Sequence, residues 1–277
     1  MSEFASEPMS LGRRVRLRLR RGLVLPSVMV AAVVLVAGVG PFAAPHDPRE
    51  SMAVAFVPPR GEFLLGTDQL GRDVLSRVLS HGWPVLVVPL VSVVVAALVG
   101  VCGGLLLVAR RGRGRRVVQV LDMVLAIPPM LTLIVLGYVL PPGFGALLVV
   151  VTVINAPFTA RFVRSLADGY FDAGFVEVSL VEGDGRVAIA FREVLPNLWV
   201  PLLGDLGNRF VAAMYVVVSA GFLGVAAIGD GADWASMITD SLGGLALNPA
   251  AVIAPAAGIG LLAVGVNLLG DQWAARR

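Results

Sequence analysis

Six stretches of the chain stay apolar for the roughly 20 residues that a helix needs to cross a bilayer. They cover residues 23–44, 85–109, 117–140, 146–160 with its flanks, 201–228 and 250–269. Between the fourth and fifth lies an island of different pattern, FVEVSLVEGDGRVAIAFREVLPN, at residues 175–197. Phe175, Val176, Val178, Leu180 and Val181 predict a short apolar helix around Glu177 and Ser179, and Gly183-Asp184-Gly185 ends it, because glycine accepts the left-handed turn that closes helices. A second short helix is expected to run to Pro196. The first helix is too short to span and too apolar for water, so a groove in another protein is its expected cover. Outside the spans, Thr67 is placed to cap an amphipathic helix in which Leu70, Val74, Leu75, Val78 and Leu79 oppose Arg72, Asp73 and Arg77, suited to a membrane surface.

Charge orients this pattern. Arg13, Arg14, Arg16, Arg18, Arg20 and Arg21 precede the first span, and Arg110, Arg111, Arg113, Arg115 and Arg116 crowd one loop. Basic residues mark cytoplasmic ends, so both termini, the 110–116 loop and the 175–197 island are expected inside. The segments assigned outside carry mixed charge, including Asp47, Asp68 and Arg72 in the first and Asp230, Asp233 and Asp240 in the last. A basic tail at 1–22, a first span with its external segment at 23–84 and a core at 85–277 follow. A cleaved signal would share the basic start and the small residues near Ala43 and Ala44, but the apolar run is long for one. Nucleic-acid binding by the tail is the poorer reading, since an apolar span follows at once.

Composition narrows the function. Of the 277 residues 57% are hydrophobic and 15% charged, outside the range of ordinary soluble domains. No lysine occurs, which excludes a P-loop, whose glycines precede an obligatory lysine. The single cysteine, Cys102, permits no intrachain disulfide, and His46 and His81 stand apart from other soft ligands, so no metal site is expected. No nucleophile, base and oxyanion constellation stands out, and the chain is not expected to be an enzyme. Among the polar residues inside spans, Asp122, Asn155, Asp205, Asn208 and Arg209 are the candidates for a gate or pathway. Asp122 can pair with the arginines beside it, and Asp205 with Arg209 four residues on. Gly100, Gly103, Gly104 and Gly243-Gly244 suit close packing of helices.

Glu177, Gly183, Leu195 and Pro196, followed by Asn197, stand at the spacing of the EAA loop of ATP-binding-cassette importer permeases. Further motifs are FLLGTDQLGRDVLSRVL at 63–79, LDMVLAIP at 121–128, GFLG at 221–224, DWASMI at 233–238 and NLLGD at 267–271. In this order they resemble the C-type permease of the dipeptide, oligopeptide and nickel branch over essentially the whole chain. Two departures stand out. Val178 and Ser179 replace the alanines of the loop, and Val217 and Gly221 stand where that family has a glutamate and a serine.

The resemblance implies an all-α, type I importer permease fold with about six transmembrane helices and a cytoplasmic coupling-helix loop, multi-pass in the plasma (inner) membrane. It implies that Phe175, Val176, Glu177, Val178, Ser179, Gly183, Leu195 and Pro196 meet an ATPase, and that Asp122 belongs to a gate-forming helix. The implied partners are a sister permease subunit, two nucleotide-binding ATPase subunits that hold ATP and Mg, an extracytoplasmic solute-binding protein and membrane lipid. No cofactor is implied in this chain. Small peptides are the first expected solute, and nickel or a metal chelate the second. An ion-gradient-driven secondary transporter is the rival, but inverted repeats and a carboxylate relay are not evident and the island would have no role in it.

Overall fold

A computed structural model describes residues 9–110, 115–172, 174–225 and 233–274. The side chains of the six N-terminal arginines, of Arg115 and of Phe175, together with Arg111, Arg113, Ile228 and Asp230, lie outside what it describes. The described chain is helical, with isolated bridges in one external segment but no extended sheet. Among the described residues, five helices are long and apolar enough to cross a membrane, and a sixth crossing results if one sharply bent pair counts as a single span.

The first helix, α1 (Met9–Ala43), already includes the basic stretch from Met9 onward. α2 (Val74–Ser80) and α3 (Trp83–Ala109) follow, separated by a break at His81 and Gly82. The third apolar stretch does not form one straight span. It divides into α4 (Arg115–Ala126) and α5 (Pro129–Val139), which meet at 88°. Pro128 and Pro129 explain the break, because proline lacks the N–H of the helical ladder and pushes its predecessor out of the helical region. α6 (Phe144–Phe171) runs beyond the stretch assigned from hydropathy, and α7 (Gly174–Val181) forms the short island helix.

The second island helix does not stop at Pro196. α8 (Arg186–Ile189), one wide turn at Ala190–Val194 and α9 (Leu195–Leu223) form a continuous rod of 38 residues. In the wide turn the N–H of Leu195 bonds to the carbonyl of Ala190, five residues back. This register shift accommodates Pro196 at the start of the next segment, which an unmodified helix could do only with a clash and a lost bond. α9 ends at Gly224, whose φ of 64° is the left-handed closing conformation. α10 (Trp234–Ser241) and α11 (Ala250–Ala274) complete the chain.

α3 and α6 lie side by side at the centre. A Cβ on Gly100 would come within 2.6 Å of Thr159 Cβ, and one on Gly104 within 2.7 Å of the Ala160 carbonyl, so both glycines permit this approach. Gly103 faces away, with only Ala160 Cβ at 4.0 Å. Gly244 packs against the ring of Phe56 instead of a helix, and Gly243 against nothing. Three apolar clusters stack along the bundle. Val88, Leu133, Val150 and Val217 are in the middle, Leu105, Val163, Ile189 and Leu198 at the island end, and Val74, Val85, Met214 and Trp234 at the opposite end.

The external segment departs from its expected form. Asp73, not Thr67, caps α2, accepting from the backbone N–H of Ser76 at 3.1 Å and its hydroxyl at 2.6 Å. Thr67 is buried, accepts from the Val57 N–H and donates to the Val54 carbonyl. Nor do Asp73 and Arg77 form a wet face, for both are buried, while Leu70 is exposed. The surface-helix reading failed because Asp68 turns inward to meet Arg77 and Arg72, so the charged side is packed as well as the side of Val74 and Val78.

Candidate functional site

At the island end, α7 is seated, among its described side chains, by the buried Val176 and the part-buried Ser179. Val176 is buried among Leu105, Val163, Phe171 and Ile189, whereas Glu177, Val178 and Val181 face outward, Val181 with 84% of its surface free. Val176 anchors the helix on its own bundle, and Val178, Leu180 and Val181 leave contiguous apolar surface exposed, the kind of surface that another protein covers. Gly183 takes φ 95°, its N–H bonds to the Leu180 carbonyl, and the Asp184 N–H bonds to Ser179. That pair of bonds is the glycine-dependent helix stop anticipated from Gly183-Asp184-Gly185. The Ser179 hydroxyl donates to Glu193 at 3.0 Å, tying α7 to the wide turn before α9. Leu195 is half-buried and Pro196 exposed, so the two enter the membrane-crossing rod directly. α7 thus contacts the α8–α9 rod through Ser179–Glu193 and through the shared cluster around Val176.

The charges inside the spans sort into three places. Asp205 and Arg209 pair on one face of α9 at 3.2 Å, and the Arg209 guanidinium lies 5.1 Å from the centre of the Phe158 ring on α6. The aromatic face steadies the cation as its carboxylate partner does. Asn208, beside them in sequence, is exposed. Asp122 on α4 pairs with Arg161 of α6 at 3.1 Å, while the side chains of Arg111, Arg113 and Arg115 lie outside what the structure describes. Half of its side chain is open, so the pair is worth at most about 1 kcal/mol. Asn155 is buried and donates to the Val151 carbonyl of its own helix at 2.9 Å, which spends its amide on the backbone. Asp122, Asn155 and the Asp205–Arg209 pair thus each meet α6, at Arg161, Val151 and Phe158.

Sequence reasoning missed several participants. Arg161 and Phe158 are separated from their partners by tens of residues, and no local periodicity identifies such pairings. Trp234 is wholly buried, donates to the Val78 carbonyl at 2.9 Å, and lies against Gly82 and Gly258, where any Cβ would collide with its ring. The DWASMI motif pointed to this residue without saying why. Asn248 bonds the carbonyls of Leu65 and Thr67, latching the external segment onto the turn before α11. Gly221 has a local reason: Ala235 and the Asp233 carboxylate occupy the space a side chain would need.

A five- to six-crossing helical bundle with an exposed helical element at one end belongs to the class of polytopic transport permeases. The model of the family described as binding-protein-dependent transport system inner membrane component matches residues 92–276, and the chain belongs to that family. It is therefore a multi-pass inner-membrane protein of a transport system and not itself shown to catalyse a reaction. It is 29% identical over 247 residues to a di/tripeptide transport system permease protein, DppC, of Pseudomonas aeruginosa, covering 86% of this chain and 82% of the relative. It is 27% identical over 250 residues to a probable D,D-dipeptide transport system permease protein, DdpC, of Escherichia coli, covering 90% and 84%. Among solved structures, a chain of the MetNI methionine ABC transporter in inward-facing conformations superposes with a TM-score of 0.58 at 21% identity, covering 72% of this chain and 93% of that one. That likeness establishes the shared fold.

Proposed function

We propose that the chain is one of two permease subunits of an ATP-driven importer for small peptides, with the 174–197 segment as its coupling element. The observation that carries this reading is the seating of α7, anchored by Val176 with Glu177, Val178 and Val181 exposed, at the foot of a rod long and apolar enough to cross the membrane. Peptides as the solute rest on the relatives named for di- and tripeptides and D,D-dipeptides. Two ATPase subunits holding ATP and Mg would bind the exposed face of α7, a sister permease would complete the pathway, and an extracytoplasmic binding protein would deliver the solute. Both termini and the 174–197 segment would face the cytoplasm, in keeping with the arginine distribution.

In this mechanism α7 moves with the ATPase and carries α9 with it, so the bundle alternates between outward and inward access. Glu177 is exposed on the docking face and would meet donors in the ATPase cleft; losing one partner of a desolvated charged contact costs about 2–5 kcal/mol. A side chain at Gly183 would add about 1–2 kcal/mol of backbone strain at φ 95°. Glu177→Ala and Gly183→Val are expected to insert normally, to copurify with less ATPase and to lose solute-stimulated hydrolysis in reconstituted vesicles. Wild-type transport by both variants with full ATPase occupancy would overturn the assignment. Loss of nickel accumulation with intact peptide uptake in a deletion strain would transfer the solute to the metal alternative.

A further inference from the structure

A cavity of about 1240 Å³ lies between α3, α4 and α6 at the island end of the bundle. Its wall is apolar apart from Arg110, at the end of α3, and Arg186, at the start of α8. Both arginines are exposed, and neither forms an ion pair with a described acidic residue. The walls at Val99, Val117 and Val153 are themselves more than 40% open, so the cavity communicates with the lipid-facing side of the helices.

Those features select an occupant. A peptide in transit would leave its amide groups unsatisfied against this wall, which offers no side-chain amide or hydroxyl. A helix of a neighbouring subunit would fill the apolar part but leave two cations without counter-charge. A molecule with an anionic head and hydrocarbon tails satisfies both parts, and basic pockets between membrane helices on the cytoplasmic side suit such heads. We propose that this cavity binds one anionic phospholipid, its phosphate between Arg110 and Arg186 and an acyl chain along Gly103 on α3. The bound lipid bridges α3, α4 and the start of the α8–α9 rod, and so joins the bent α4–α5 pair to the segment that receives the coupling stroke. Only the leaflet from which the lipid comes rests on the orientation given above.

The test uses the full chain with whatever subunits copurify, exchanged into detergent, with retained lipid counted by native mass spectrometry after addition of phosphatidylglycerol or phosphatidylcholine. The wild type is expected to retain phosphatidylglycerol at least tenfold more tightly than phosphatidylcholine. Arg110→Gln/Arg186→Gln should lose that preference, and Gly103→Leu should lose retention of both lipids, since its side chain enters the cavity with only Ala160 nearby. Arg60→Gln, in the external segment at the opposite end, should behave as wild type, and unchanged elution profiles would certify folding. Equal retention of the two lipids by the wild type, or full retention by both cavity variants, overturns the proposal. So does a crosslink from Gly103→Cys to a copurifying protein, which would make the cavity a subunit interface. Because binding is read in detergent, it is independent of orientation and of ATPase coupling, and a failure here is distinguishable from a failure of either.

Discussion

Asp68 shows how one buried carboxylate organises a whole external segment. It accepts from the N–H groups of Leu70 and Arg72 at 2.8 and 3.0 Å and pairs with the guanidinium groups of Arg72 and Arg77. Burial alone would raise its pKa, but the Arg72 N–H, the Arg77 charge, the Leu70 N–H and the Arg72 charge together hold it below its ordinary value of 3.8. A carboxylate with a depressed folded value contributes stability that is complete above 3.8 and is lost as pH falls through the lower folded value. Pepsin should therefore nick residues 44–73 progressively faster as pH drops below 3.8. At neutral pH Asp68→Asn strands a buried Arg77 and should cost about 3–5 kcal/mol in thermal unfolding, whereas Asp68→Asn/Arg77→Met should recover most of it, because no buried charge is then unpaired. A double variant no more stable than the single one would show that the pair does more than neutralise itself. Asp233, which caps α10, has the opposite sign: burial pushes its carboxyl up against hydrogen bonds from Ser236 and Ala235, so its contribution is lost as pH rises through the raised value.

At the scale of elements, the α3–α6 contact tests whether glycines were read for the right reason. Gly100, Gly103 and Gly104 look alike in sequence, yet only two of them touch α6 closely. Gly104→Leu must displace the Ala160 carbonyl and Val163, backbone and branched side chain that yield little, so a loss of about 1–3 kcal/mol is expected. Gly103→Leu meets open space and should leave thermal unfolding in detergent unchanged within about 0.5 kcal/mol when no lipid is added. Equal losses from both would mean that the two helices approach differently. The rod from Arg186 to Leu223 carries a second lesson. Pro196 reads as a terminator, and in isolation it would be one, but a single widened turn removes the conflict and leaves α8 and α9 mechanically continuous. For an element that must transmit motion, that continuity matters more than the local helix boundary.

For the whole molecule the decisive expectation is orientation. With Cys102 replaced, single cysteines at the exposed Ser51 and Glu62 should react with an impermeant thiol reagent applied outside intact cells, and one at the exposed Asp184 only after permeabilisation. Labelling of Asp184→Cys from outside would invert the topology and with it the proposed coupling role. What the sequence by itself determined is set by one-dimensional physics. Length and hydropathy located the crossings and Gly183 ended α7, because each depends on residues within one or two helical turns, while the arginine distribution supplies the orientation still to be tested. The proposed coupling residues were likewise legible as a contiguous motif. Only the tertiary structure decided that Asp122 answers Arg161, that Arg209 lies over Phe158, that Asp73 displaces Thr67 as the cap of α2, and that the charged side of that helix is buried along with its apolar side. The reason is that a buried charge or N–H must find a partner wherever the packed chain brings one. That choice is made across a hundred residues as readily as across four, and so leaves no local period in the sequence to read.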